Sequence, residues 1–125
     1  MTLSNKTLEI TQEAARAAIE KFAVDVVAID LSDQLVLSQV FLIATGQNEA
    51  QIGAIADEIE RKLALMGDKP VHREIGAEWI LLDYSDLVVH VQNPTSRRYY
   101  LLDRLWNDCP SIELEVSWDG NLNGR

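Results

Sequence analysis

The chain has 125 residues, of which 47% are hydrophobic and 25% charged, a composition that suits one globular domain with a sizeable core. Its 20 acidic and 11 basic residues leave a formal net charge of −9, which argues against broad binding to nucleic-acid phosphates and leaves a basic protein as a fitting partner. No apolar run approaches the roughly 20 residues of a membrane span, Met1–Lys6 lack the basic-then-apolar pattern of a signal peptide, and the single cysteine, Cys109, makes no internal disulfide, so the expected location is the cytoplasm.

Thr11 is a candidate helix cap, with Gln12 and Glu13 in the first turn behind it. Ile10, Ala14, Ala17, Ala18 and Phe22 recur at helical spacing and predict an amphipathic helix over about 8–23, its alanine face suited to close packing on a sheet. Val26–Leu31 is short and β-branched and predicts a strand, followed by the turn cluster Ser32-Asp33-Gln34. Val36–Thr45 predicts a second strand, whose end Phe41–Ala44 is apolar throughout, as in a strand covered on both faces.

Asn48 and Gln51 form a capping-box pattern ahead of Ile52, Ile55, Ala56, Ile59, Leu63 and Met66 at 3–4 spacing. They predict a helix over about 49–66, with Gly67 at the C′ position and Pro70 beyond it. Val71–Ile75 predicts a more polar edge strand. Trp79–Leu82 and Leu87–Val91 are apolar runs on either side of Asp83-Tyr84-Ser85-Asp86 and predict a β-hairpin inside the sheet. Asn93–Ser96 is a turn and helix start, and Arg98, Leu102, Leu105 and Trp106 predict a third helix over about 95–106. Ile112, Leu114, Val116 and Trp118 alternate in the tail, and Asp119–Arg125 has the composition of a disordered end. Helices alternate with strands, so the fold class is α/β: one domain with a mixed β-sheet flanked by helices.

Candidate chemistry is sparse. His72 and His90 stand apart from each other and from Cys109, so there is no ligand-spaced metal set. Cys109 follows a predicted helix C-terminus, where the dipole disfavours a thiolate. Thr45-Gly46-Gln47-Asn48 leads from a strand into a helix, where free N–H groups could hold an anion, but a helix cap explains the same residues. Asp83 with Asp86, and Asp30 with Asp33, are three apart, a spacing that turn chemistry accounts for better than a converging acid pair. What remains is a set rich in Trp, Tyr and Arg in the second half of the chain, the residue types enriched at binding hot spots.

Several blocks, taken together and in order, resemble the ribosomal silencing factor family, also called the Iojap family. They are Val26–Leu31, Phe41–Gly46, Ile55–Asp57, Trp79–Tyr84, Asp86–Val91, Arg97–Tyr100 and Leu105-Trp106. The resemblance covers about residues 8–106. It departs at Ser85, where the family usually has Gly, at Gln39, where it usually has an acid, and at Glu74-Ile75-Gly76, where it usually has a Glu-Gly pair.

The resemblance implies a nucleotidyltransferase-like fold without that activity. No cofactor and no metal are expected. It implies binding to the large ribosomal subunit, through a ribosomal protein on the face that meets the small subunit, and hindrance of subunit joining. The expected organisation is a silencing-factor domain over 1–110 and a partly disordered extension over 111–125. The expected docking patch is Trp79, Leu81, Asp83, Tyr84, Asp86 and His90, with Trp79, Leu81 and Asp83 on one strand face and Tyr84 and Asp86 presented by the turn. Arg97, Arg98 and Tyr100 are further candidates. Direct sequence-specific nucleic-acid binding and membrane association are not expected. A homodimer is a possible assembly, and a nucleotide-binding transferase is the rival reading.

Overall fold

The computed structural model describes residues 4–32, 38–95 and 110–114. Two helices, α1 (Asn5–Glu20) and α2 (Glu49–Leu65), lie on one face of a six-stranded sheet. Its strands are β1 (Val24–Asp30), β2 (Val40–Thr45), β3 (His72–Ile75), β4 (Trp79–Asp83), β5 (Leu87–Gln92) and β6 (Ser111–Ile112), in the spatial order β3-β4-β5-β2-β1-β6. β2 and β5 run parallel and every other neighbouring pair is antiparallel, so the sheet is mixed as expected. Pro94 and Thr95 are helical, and the predicted third helix otherwise falls outside the described residues.

α1 starts earlier than its apolar pattern suggests. Ser4 is the N-cap, and its Oγ accepts from the Thr7 N–H at 3.0 Å. Thr11, expected as the cap, is buried within the helix, and its hydroxyl donates to the Thr7 carbonyl at 2.7 Å. Ile10, Ala14, Ala17 and Ala18 form the buried face, and their small volume lets α1 approach both α2 and the sheet. α2 begins as predicted: Asn48 Oδ1 accepts from the Gln51 N–H at 2.8 Å. The return bond of the capping box is displaced by one residue, since Gln51 Oε1 accepts from the Gln47 N–H at 2.6 Å.

Both helices end in the same Schellman motif. At α2 the Gly67 N–H donates to Ala64 and the Asp68 N–H to Leu63, with Gly67 at φ 89°. At α1 the Phe22 N–H donates to Ile19 and the Ala23 N–H to Ala18, with Phe22 at φ 66°. Phe22 therefore stands where the other helix uses glycine. The sequence pattern placed it on the buried helical face, but the helix stops at Glu20 and the ring is 81% exposed.

The main core lies between the helices and the sheet, with Val40, Leu42, Ile80, Leu82, Leu87, Val89 and Val91 facing Ile52, Ile55, Ile59 and Leu63. A second, smaller cluster of Ile29, Leu31 and Ile43 lies on the opposite face, with Val27 and Phe41 packed on it. β1 carries a bulge between Val24 and Val27, where Asp25 takes φ 52°. β2 starts at Val40, later than expected, because the Gln39 and Val40 N–H groups both turn to the Asp86 carbonyl, at 2.8 and 2.9 Å. β6 pairs with β1 through Ala28–Ile112 and Ile29–Ser111, so the first residues beyond the expected boundary at 110 belong to the sheet.

The β4–β5 hairpin turns tightly. The Asp86 N–H donates to the Tyr84 carbonyl at 2.9 Å, closing a γ-turn around Ser85, which takes φ 75°. Asp83 Oδ1 accepts from the Ser85 N–H at 2.8 Å and holds that strained residue in place. Left-handed backbone costs a non-glycine residue about 1 kcal/mol or more. Ser85→Gly is expected to raise the melting temperature by roughly 3–5 °C, because it keeps the Asp83 bond and relieves the strain. A lower melting temperature in a thermal scan would show that the serine side chain contributes more than its φ costs.

Candidate docking face

Paired residues in neighbouring strands share a sheet face, so the registers define rows across the face opposite the helices, buried at the centre and half-exposed toward β4. One row runs Trp79, Gln92, Thr45, Val24. The next runs Glu74, Leu81, His90, Ile43, Val27, and a third runs His72, Asp83, Val88, Phe41, Ile29. Trp79, Leu81, Asp83 and His90 thus share one face, and all four are half-buried there, while Ile80 and Leu82 alternate into the core. The alternation expected for β4 is what the structure has.

Tyr84 corrects the expectation for the turn. It continues the parity of Ile80 and Leu82, packs into the helix-side core and is 9% exposed. Burial pushes its hydroxyl pKa up, the carboxylates of Glu60 and Asp68 add to that, and Arg73 opposes it. Its Oη has no hydrogen-bond partner among the described residues. It is a core residue. Asp86 is exposed as expected, but it sits at the opposite end of the hairpin from Trp79. Arg97, Arg98 and Tyr100 lie outside the described residues.

Trp79 rests on Gly76. A Cβ at Gly76 would meet the indole Cε2 and Nε1 at 2.8 Å, closer than any ordinary contact. The Gly76 N–H also donates to the Trp79 carbonyl at 2.7 Å, so the same short connection fixes both backbone and ring. Composition gave no sign of this seat, and its only trace in the sequence is a glycine three residues before the tryptophan. The neighbouring His72 and Glu74 are on the same face, with His72 Nε2 3.0 Å from a Glu74 oxygen.

His90 is a half-buried, neutral imidazole. Burial lowers its pKa to about 4, and Phe41 meets it edge-on with ring centroids 5.0 Å apart. Its Nε2 and the Gln92 Oε1, two residues along β5 on the same face, are buried without a hydrogen-bond partner among the described residues.

One acid of each pair is engaged in local turn chemistry. Asp83 serves the Ser85 N–H, and Asp30 Oδ1 accepts from the Ser32 N–H and hydroxyl at 2.9 and 2.6 Å. At the 45–48 connection the Gly46 N–H donates to Gln92, the Gln47 N–H to Gln51 and the Ile52 N–H to Asn48, which is a helix cap rather than an open anion cradle. Among the described residues no group of three or more His, Cys, Asp or Glu gathers in an arrangement that could hold a metal ion. No described helix is long and apolar enough to cross a membrane.

Two expectations follow from this geometry. Gly76→Ala should move the indole rather than the backbone, because the clash is with a side chain on a half-exposed surface. The Trp79 Nε1–H resonance is expected to shift with little change in melting temperature, and an unshifted resonance would remove Gly76 as the seat. For His90 the folded pKa, about 4, is below the unfolded value of 6.5, so the unfolded chain takes up the proton first. Stability from the neutral imidazole is therefore present above pH 6.5 and lost as pH falls toward 4, by on the order of 3 kcal/mol at most. His90→Leu should flatten that part of the profile, and parallel pH profiles for wild type and variant in urea unfolding would contradict a half-buried, neutral His90.

Comparison with known proteins agrees with the fold. Residues 4–122 match the model of the family described as ribosomal silencing factor during starvation, further at both ends than the blocks noted in the sequence. The chain is 39% identical over 110 residues to the ribosomal silencing factor RsfS of Halalkalibacterium halodurans, covering 86% of this chain and 93% of the relative. It is 30% identical over 112 residues to the chloroplastic protein Iojap of Zea mays, covering 86% of this chain and 47% of that protein. A crystal structure of a Chromobacterium violaceum protein superposes with a TM-score of 0.77 at 32% identity, covering 90% of this chain and 94% of the other. With the family model matched over nearly its whole length, the chain belongs to the ribosomal silencing factor family.

Proposed function

We propose that this protein docks on the large ribosomal subunit, through a basic protein on the face that meets the small subunit, and blocks subunit joining by occupying that space in the cytoplasm. The family and the names of its relatives support the ribosome as target. The observation that carries the docking assignment is the grouping of Trp79, Leu81, Asp83 and His90 on one sheet face, with the indole seated half-exposed on Gly76. A large aromatic held in place before contact loses little entropy on binding, which is the property of a hot-spot residue. The net charge of −9 fits a basic protein surface and opposes contact with bare RNA.

In this reading the protein acts by volume and needs no bond-making step, so it is not an enzyme. Trp79→Ala is expected to weaken co-sedimentation with isolated large subunits at least tenfold, or about 1.4 kcal/mol, while circular dichroism stays native. Small subunits added to the wild-type complex should fail to join. Undiminished sedimentation of a folded Trp79→Ala protein would remove Trp79 from the interface, and failure of the wild type to bind large subunits would overturn the function itself.

A further inference from the structure

Phe22 is the least economical residue of the fold. It takes φ 66° at the C′ position of the α1 Schellman motif, whereas the identical motif of α2 uses Gly67 at φ 89°. A bulky side chain is disfavoured in that region, and here it gains no packing in return, because the ring is 81% exposed. The fold therefore gives no reason for a phenylalanine at this place.

The loop that carries it is held firmly. The Gln51 side-chain amide donates to the Lys21 and Phe22 carbonyls at 3.1 and 3.0 Å, and its oxygen accepts from the Gln47 N–H. Ala23, the next residue, is buried. Phe22 is thus an exposed ring on a rigid mount.

Its place in the sheet links it to the docking face. Val24, two residues on, ends the row that begins with Trp79 and passes through Gln92 and Thr45. Three strand spacings, about 14 Å, separate Val24 from Trp79 along this end of the sheet. Exposed carboxylates outnumber lysines around Phe22: Glu20 and Asp25 in the same segment, Glu49 beside the Gln47–Gln51 clamp and Glu78 beside Trp79, against Lys21 and Lys62, the latter paired with Glu20 at 3.2 Å.

We propose that Phe22 is a second docking anchor, which enters an apolar socket bordered by lysine or arginine side chains on a basic protein. The ring face accepts such a cation, and the excess of acidic over basic charge at this end favours the others. This rests on the large-subunit reading and specifies the partner's chemistry: a protein socket on the same target as the Trp79 patch.

The test uses Phe22→Asn and Phe22→Gly, residues that accept the left-handed backbone, with Phe22→Trp as the aromatic control. Both small variants are expected to raise the melting temperature by roughly 2–4 °C and to weaken co-sedimentation with purified large subunits at least tenfold, while Phe22→Trp binds like the wild type. Wild-type affinity in a stabilised Phe22→Asn protein would overturn the anchor and leave the large-subunit reading standing. A wild-type protein that ignores large subunits would overturn both. Binding of the wild type to protein-free ribosomal RNA, lost in Phe22→Asn, would overturn the protein socket in favour of RNA.

Discussion

The parallel pairing of β2 with β5 is the constraint on which the rest of the molecule depends. These are the two most buried strands, each with five of six residues buried, as central strands covered on both faces are. Once Val40 is set beside Leu87, every later partner follows: Ile43 falls opposite His90, His90 opposite Leu81, and Trp79 opposite Gln92. A slip of one residue would turn Val89 and Val91 away from the helices and drive His90 into the main core. The turn carbonyl of Asp86 reinforces the pairing by accepting from Gln39 and Val40 at the mouth of β2. The candidate docking face is therefore a consequence of core pairing, because the same register that buries the valines brings out Trp79 and Leu81.

The backbone departs from ordinary geometry where the chain changes direction. Among the described residues three non-glycine positions take positive φ: Phe22 after α1, Asp25 in the β1 bulge and Ser85 in the hairpin turn. Each has a local device that holds it. The Schellman bonds and Gln51 fix Phe22, the bulge fixes Asp25, and the Asp83 carboxylate fixes Ser85. Ser85 and Asp25 are short and polar, types that tolerate this region through local hydrogen bonds, whereas phenylalanine has no such compensation. That contrast separates turn chemistry from a residue whose side chain serves something outside the fold.

Much of this was legible in the residues themselves. The Asn48 cap, the 3–4 spacing from Ile52 and the closing Gly67 located α2 to within a residue, because propensity, capping and pattern agree there. Strict alternation in Trp79–Asp83 assigned the faces of β4 correctly. Tyr84 was misread because a polar turn cluster was taken to end the strand's parity, yet 80, 82 and 84 share one side and the core extends under the turn. Phe22 was misread for the converse reason: it lies four residues from Ala18, but the helix ends before the spacing reaches it. Ser4 was overlooked as a cap because the apolar pattern starts later than the backbone helix. The seat of Trp79 on Gly76 is a contact across a hairpin connection, which neither periodicity nor propensity encodes.

Trp79 and Phe22 are presented by opposite means. The indole is lowered onto a glycine and half-buried, so part of its apolar area is already desolvated by the protein's own surface. The phenyl ring is raised on a strained cap and stands free, so nearly all of its area is desolvated only when something else covers it. At about 25 cal/mol per Å² of apolar surface, the free ring has the larger gain still to make per unit of its own area, and the seated ring the smaller ordering loss. A surface that carries both, on one end of one sheet and among carboxylates, favours a partner with two apolar depressions in a basic field over a uniformly charged polyanion. The acidic charge then sets how fast the two surfaces meet, and the two rings set how long they stay together.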